Sequence, residues 1–186
     1  MLRIVAGTAR GRRIEVPDGA AVRPTGDRVR EAMFNSLNSL GAVADTRVLD
    51  LFAGSGGLGM EALSRGAAHV AFVEHDPRAL DALRGNLERL GFAGQAELVP
   101  GDCLEYLRRL NTAAARFDLI LCDPPYRFDG WQRLLELCIP HRSDDAIAVI
   151  ESDRQIELPA GWRTQRSRRY GATVLAFAVA PEVGSR

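Results

Sequence analysis

Asp123-Pro124-Pro125-Tyr126 follows directly on the apolar run Phe117 to Cys122. Two adjacent prolines remove two N–H donors and hold the backbone extended. The turn therefore presents acceptors: the Asp123 carboxylate and the carbonyls of Asp123 and Pro124, with an aromatic ring beside them. That set suits a planar group carrying an exocyclic amino group. The ring of Tyr126 would stack on it, and two acceptors would take its two hydrogens.

A second constellation lies upstream. Val48, Leu49, Leu51 and Phe52 form an apolar run broken by Asp50, and Gly54, Gly56, Gly57 and Gly59 follow within six positions. The run predicts a buried parallel strand. The glycines predict a loop whose backbone can approach a ligand closely. It opens onto a helix of roughly residues 57–65, whose N-terminus would favour an anionic group. The Gly54-x-Gly56-x-x-Gly59 spacing matches a dinucleotide fingerprint, a weak signal alone. Glu74 strengthens it, because an acid ending the next apolar run, 69–73, stands where a ribose diol is gripped.

Positioning these residues calls for alternating strands and helices. Strands are predicted near 48–52, 69–73, 96–99, 117–122 and 146–150. Helices are predicted over 26–39 with Thr25 as N-cap, from Asp76-Pro77 to Leu90 with Gly91 as stop, and over 103–110 and 130–138. Residues 163–169 and 173–179 read as a closing antiparallel hairpin about Tyr170-Gly171-Ala172, and residues 3–16 as an N-terminal β-hairpin around 7–11. Such alternation implies a mostly parallel α/β sheet of seven strands with right-handed crossovers. Asp50, Glu74, Asp102 and Asp123 then all fall at or near the C-terminal ends of strands, the edge where open α/β sheets bind ligands.

The gross numbers agree with one catalytic domain. The chain has 186 residues, 46% hydrophobic and 26% charged, with zero net charge. All 24 basic residues are arginine. Arg3, Arg10, Arg12, Arg13, Arg23, Arg28 and Arg30 crowd the first thirty residues. Arg163, Arg166, Arg168 and Arg169 form a second cluster in a stretch with no acid between Glu157 and Glu182. Clustered arginine suits phosphate; a solvated face is the plainer account of any one cluster. Cys103, Cys122 and Cys138 are odd in number and widely spaced, as expected of reduced thiols in a cytoplasmic protein. His69, His75 and His141 make no metal-ligand spacing. No apolar run approaches the ~18 residues of a membrane span.

In order, Asp50 to Gly59, Glu74, Gly101-Asp102 and Asp123 to Tyr126 resemble the motifs of class I S-adenosylmethionine-dependent methyltransferases acting on amino groups. More narrowly, residues 23–35 (RPTGDRVREAMFN) and Arg169-Tyr170-Gly171 are similar to the RsmD-type family, which methylates N2 of a guanine in bacterial 16S ribosomal RNA. Gly57 stands where many relatives carry alanine. The resemblance implies a Rossmann-like domain over 23–182, an RNA-contacting arm over 1–22 and a tail over 183–186. It implies that the Gly54–Gly59 loop cradles the methionine moiety of S-adenosylmethionine, supported by Asp50. Glu74 would take the ribose hydroxyls, Asp102 the adenine amino group and the Cys103 N–H the adenine ring. Thr25, with Arg23, would close over the carboxyl end. Asp123, Pro124 and Tyr126 would hold the target base. Arg3, Arg10, Arg12, Arg13 and Arg23 would meet phosphates of 16S ribosomal RNA, within the small subunit or an assembly intermediate. The protein would act as a monomer, without a metal.

Three other readings share some of these features. An adenine-N6 methyltransferase of DNA or RNA shares Asp-Pro-Pro-Tyr, but only 60 residues follow Tyr126, too few for a target-recognition domain. A dehydrogenase or non-catalytic nucleotide-binding module explains the glycines and Glu74, not Asp123 to Tyr126. A protein-amide methyltransferase typically has Asn where Asp123 stands.

Overall fold

A computed structural model describes residues 2–17, 26–111, 116–125 and 128–182. Thr25, Arg23 and Tyr126 lie outside the described residues. A small antiparallel pair, β1 (Leu2–Arg3) and β2 (Arg13–Ile14), precedes helix α1 (Asp27–Ser39). The α/β body follows: β3 (Arg47–Asp50), α2 (Gly57–Ser64), β4 (His69–Glu74), α3 (Pro77–Leu90), β5 (Ala96–Pro100), α4 (Cys103–Arg109), β6 (Phe117–Cys122) and α5 (Trp131–Cys138). It closes with β7 (Arg142–Ser152), β8 (Arg163–Tyr170) and β9 (Thr173–Val179).

The seven strands of the body run in the order β5-β4-β3-β6-β7-β9-β8. Strands β3 to β7 are parallel; β9 pairs antiparallel to both β7 and β8. From β3 the chain winds outward through β4 and β5, then returns to place β6 on the other side. The crevice of this topology therefore opens at the C-terminal ends of β3 and β6.

Each face of the sheet has its own core. On one, Met33, Phe34 and Leu37 of α1, Met60 of α2 and Leu83 and Leu87 of α3 pack with Val48, Phe72, Leu119, Val149 and Phe177. On the other, Leu107 of α4 and Trp131, Leu134 and Leu135 of α5 cover Leu49, Ala71, Ile120 and Ile150. The strands alternate between the two clusters, as a two-sided sheet requires. All three cysteines are buried, and burial pushes the Cys103 thiol up to about 12.

Three details differ from the sequence expectation. The N-cap of α1 is Gly26, not Thr25, and no side chain caps that helix. Strand β7 begins four residues earlier than its apolar run, because Arg142 pairs with Phe117 ahead of a register shift. The N-terminal hairpin is paired over two residues per strand and carries core: Leu2, Ile4, Ala9 and Ile14 are buried.

That hairpin is bolted to α2. The buried Glu61 carboxylate accepts the Val5 N–H at 2.7 Å and the Ala6 N–H at 3.0 Å. The Ser64 hydroxyl accepts the Ala9 N–H at 2.9 Å and donates to the Ala6 carbonyl at 2.6 Å. At its other end, the Asn86 amide donates to the Glu15 carbonyl and accepts the Glu15 N–H. Arg12 donates to the Arg89 carbonyl. Ser64 ends α2 and Arg89 lies in the last turn of α3, so the tip of the hairpin sits at the N-terminal edge of the sheet, opposite the crevice.

Candidate active site

A cleft of about 530 Å³ opens at the crevice, within the ~300–1,000 Å³ range of small-molecule sites. Its floor comes from the strand ends: Leu51 and Phe52 after β3, Val73 and Glu74 of β4, Gly101 and Asp102 after β5, Asp123 to Pro125 after β6, and Glu151 to Asp153 at the end of β7. The chain thus brings Gly54, Glu74, Asp102, Cys103, Asp123 and Pro124 to one cavity.

Asp50, Gly56 and Gly59 stand behind it. The Asp50 Oδ2 accepts the Gly59 N–H at 3.0 Å, which ties the first turn of α2 to the end of β3. A Cβ on Gly59 would fall 2.2 Å from the Phe72 ring, so only glycine lets α2 lie this close to the sheet. Gly54 does face the cleft. Its φ is +54°, and a Cβ built there meets nothing within 4 Å, so the loop leaves bare backbone open to a ligand.

Glu74 fixes the other side of that loop. Its Oε2 accepts the Gly54 N–H at 2.7 Å, and its Oε1 accepts the N–H groups of His75 and Asp76 at 2.8 and 2.7 Å. Oε1 is taken up by those two amides, while Oε2 keeps a second lone pair that can still accept a hydroxyl donor. At the end of β5 the Asp102 Oδ1 caps α4 by accepting from Leu104 and Glu105, and the Asp102 carbonyl takes the Tyr106 N–H. The Cys103 N–H is left as the first amide of that helix, beside the exposed remainder of the Asp102 carboxylate.

The electrostatics of this edge are those of crowded acids. Burial pushes the Asp50 carboxyl up to about 7; the Gly59 amide opposes that shift, while Asp123 and Glu74 add to it. The Asp50 Oδ1 has no hydrogen-bond partner among the described residues. An acid whose folded pKa is raised binds more protons folded than unfolded. Asp50 therefore adds no penalty below its ordinary value of 3.8, and one that grows as pH rises to about 7. Asp50→Asn is expected to gain on the wild type by a few kcal/mol across that window and then hold level, in urea titrations at a series of pH values. A pH-independent difference would mean the carboxyl ionises freely.

Further residues of the cleft were given no part in the site by the sequence. Phe52 and Phe128 line it and meet edge to face, with ring centroids 5.3 Å apart, and Phe128 meets Trp131 in the same way. Glu151 and Thr173, both buried, close it on the β7–β9 side. Arg30 reaches it from α1, its side chain buried to 1% and donating to the Arg3 carbonyl and to Asp27. Phe52 reads as one more apolar residue of a strand, and Glu151 as the end of another. Their only advance signal was a position one or two residues from a strand's C-terminus.

Of the arginines expected to meet RNA, Arg3 pairs with Asp27 at 3.3 Å, and Arg3 and Arg13 are opposed in the β1–β2 pair. Arg10 and Arg12 belong to the hairpin tip at the opposite edge and are not brought to the cleft.

With this geometry established, comparison with known proteins gives a consistent result. Residues 2–179 match the family described as conserved hypothetical protein 95. The chain belongs to that family. It is 37% identical to ribosomal RNA small subunit methyltransferase D of Escherichia coli K12, over 91% of this chain and 85% of that one. It is 34% identical to the protein of the same name from Haemophilus influenzae, over 91% and 89%. A solved Escherichia coli structure, described as a methyltransferase, superposes with a TM-score of 0.85 at 34% identity, covering 96% of this chain and 97% of that one. TrmN from Thermus thermophilus shares the fold, with a TM-score of 0.70 at 20% identity. The seven-stranded sheet is thus that of the class I methyltransferases.

Proposed function

We propose that this protein transfers a methyl group from S-adenosylmethionine to the exocyclic N2 amino group of a guanine in small-subunit (16S) ribosomal RNA. The observation that carries the reading is the convergence, in one cleft, of an open glycine loop, a ribose-type acid at the end of β4 and an acceptor-only turn after β6. The names of the relatives supply the substrate class.

The residues fit the cofactor. The bare Gly54 backbone would take the methionine moiety and Glu74 the ribose hydroxyls. The Asp102 carboxylate and the Cys103 N–H would take the adenine. Asp50 would hold the loop from behind through Gly59, and Thr25 with Arg23 would close the carboxyl end. When bound, S-adenosylmethionine supplies an electrophilic methyl on a positively charged sulfur.

On the base side, the guanine N2 lone pair is delocalised into the ring and is a poor nucleophile. The Asp123 carboxylate and the Pro124 carbonyl would accept its two hydrogens, localise the lone pair and aim it in line. Such positioning can be worth ~7–11 kcal/mol. No strong base is required, because the amine becomes acidic as it acquires the methyl group. Tyr126 would stack on the base face, with the Phe52–Phe128 pair walling the cavity beside it. The base must leave its stack to enter, which favours a loop guanine over one in a duplex.

Among the described residues no helix is long and apolar enough to cross a membrane. We place the protein in the cytoplasm, acting as a monomer on RNA within the small subunit or an assembly intermediate. Arg3 and Arg13 would meet phosphate there, and Arg10 and Arg12 would do so where the RNA reaches the far edge. The test is mass spectrometry of ribosomal RNA nucleosides from a strain lacking the protein. Loss of one N2-methylguanosine in small-subunit RNA is expected, and loss of N6-methyladenosine instead would establish the adenine reading.

Glu74 provides a test of the cofactor half. Its loss removes acceptors for the ribose and frees the Gly54 amide that it pins, and charge-assisted bonds are worth ~1.5–3 kcal/mol each. Glu74→Ala is expected to weaken S-adenosylmethionine binding at least ~10-fold by calorimetry. Unchanged affinity in a folded variant would leave this acid a purely structural role.

A further inference from the structure

The cleft is lined by Glu74, Asp76, Asp102, Asp123, Glu151 and Asp153. Among the described residues its one arginine, Arg30, donates to Asp27 and to the Arg3 carbonyl. Such a cavity repels phosphate. A base can enter it only if the backbone of its RNA is held on a positive surface outside, close to the mouth.

The structure offers one such surface beside the cleft. Strand β8 is one of the two edges of the sheet, and every residue from Arg163 to Arg169 is exposed, while its partner β9 is buried from Thr173 to Ala178. Four of those seven exposed residues are arginines: Arg163, Arg166, Arg168 and Arg169. Arg163 is paired with Glu182 at 2.9 Å, and Arg166 reaches the Ser36 hydroxyl of α1 at 3.4 Å. The guanidinium groups of Arg168 and Arg169 have no ion pair among the described residues.

The direction of the strand matters as much as its charge. Because β8 and β7 are both antiparallel to β9, β8 runs the same way as β7, toward the crevice. Its last residue, Tyr170, pairs with Thr173, and Thr173 lines the cleft. The span from Arg166 to Tyr170 is ~13 Å of extended chain. Arg166 and Arg168 lie on the α1 side of the strand and Arg169 on the other, so together they line both sides of an edge that ends at the mouth of the cavity.

We infer that Arg166, Arg168 and Arg169 on the β8 edge form a phosphate-binding track that holds the RNA backbone while the target base enters the acidic cleft. Charged residues do protect edge strands from pairing with other chains. Protection alone is served by either sign of charge or by proline, and does not call for arginine only, aimed at the site. A second copy of the protein is disfavoured on this edge by the same like charges. The inference rests on the methyltransferase reading above and adds a place where the substrate is gripped.

The test uses the full chain and a small-subunit ribosomal RNA transcript, with methyl transfer and RNA binding measured across salt concentrations. A wild type that transfers no methyl group to any ribosomal RNA, free or in subunits, overturns the functional reading itself. Given an active wild type, the combined Arg166→Gln, Arg168→Gln and Arg169→Gln variant is expected to raise KM for RNA ~10-fold or more, leaving kcat and cofactor affinity unchanged. Its log–log salt dependence should flatten by ~0.7–0.9 per lost contact, about 2–3 units in all. The corresponding Lys variant should stay near wild type. Unchanged KM and salt slope in the Gln variant would overturn the track, and so would a Lys variant as weak as the Gln one. Should the triple variant fail to bind cofactor, Arg168→Gln and Arg169→Gln singly decide the matter, each expected to flatten the slope by just under one unit.

Discussion

Asp123→Ala is expected to lose ~10²–10³ in turnover, or ~2.7–4 kcal/mol, by analogy with removal of one preorganised group facing charge that develops in the transition state. The Asp123 acceptor matters most as positive charge grows on the attacking nitrogen, so the loss should fall on the chemical step. Cofactor affinity should stay within a few-fold, because the loop and ribose acid belong to β3 and β4 while Asp123 follows β6. Single-turnover methyl transfer to ribosomal RNA, with cofactor binding by calorimetry as control, separates the two. One side effect has a definite sign. Asp123 is among the charges that push the Asp50 carboxyl up, so its removal should bring that carboxyl down. Methylation at the wild-type rate would place the chemistry elsewhere in the cleft.

Glu61→Ala is expected to be the most destabilising single change, at ~3–5 kcal/mol. The Glu61 carboxylate is fully buried and accepts from two backbone amides of the hairpin. It pairs with Arg65 at 2.6 Å and lies 3.9 Å from Arg30. Both arginine side chains are themselves almost wholly buried. Truncation leaves the Arg65 guanidinium and two N–H groups without their acceptor and removes the carboxylate beside Arg30, in a place water does not reach. For a chain of this size the loss corresponds to a fall in Tm of roughly 6–20 °C. Glu61→Gln, which keeps one oxygen acceptor but turns the other into an NH2 donor and removes the charge, should fall between. An unchanged Tm for Glu61→Ala would mean the network contributes nothing net. Because Arg30 reaches the cleft, the variant should also bind cofactor less well at temperatures where it remains folded.

The two changes mark different relations between sequence and structure. The place of Asp123 at the cleft was legible in advance because its turn is local. Two prolines after an apolar strand define the turn whatever the rest of the chain does. The same holds for the glycine loop, whose backbone freedom is a property of its own residues, and for Asp76-Pro77 and Gly91, which start and stop α3 by short-range bonds. Alternating apolar runs and helical periods determined the parallel body and placed four acids at strand ends, since a βαβ unit leaves little freedom in handedness or direction.

Glu61 was not legible. In the sequence it is one acid in a helix of small and apolar residues, and nothing nearby shows that a hairpin 55 residues earlier donates two amides to it. Nor could the sequence tell that Asp50 stands behind the loop rather than in the cleft, that the tip carrying Arg10 and Arg12 lies at the edge opposite the site, or that Phe52 and Phe128 meet across it. The strand order decided that β8 is a free edge running toward the cleft, which turned an arginine-rich segment into a directed one. All of these depend on contacts between residues far apart in the chain. Local preference determines where elements begin, end and turn; only packing decides which of their charged and aromatic side chains come to share a cavity.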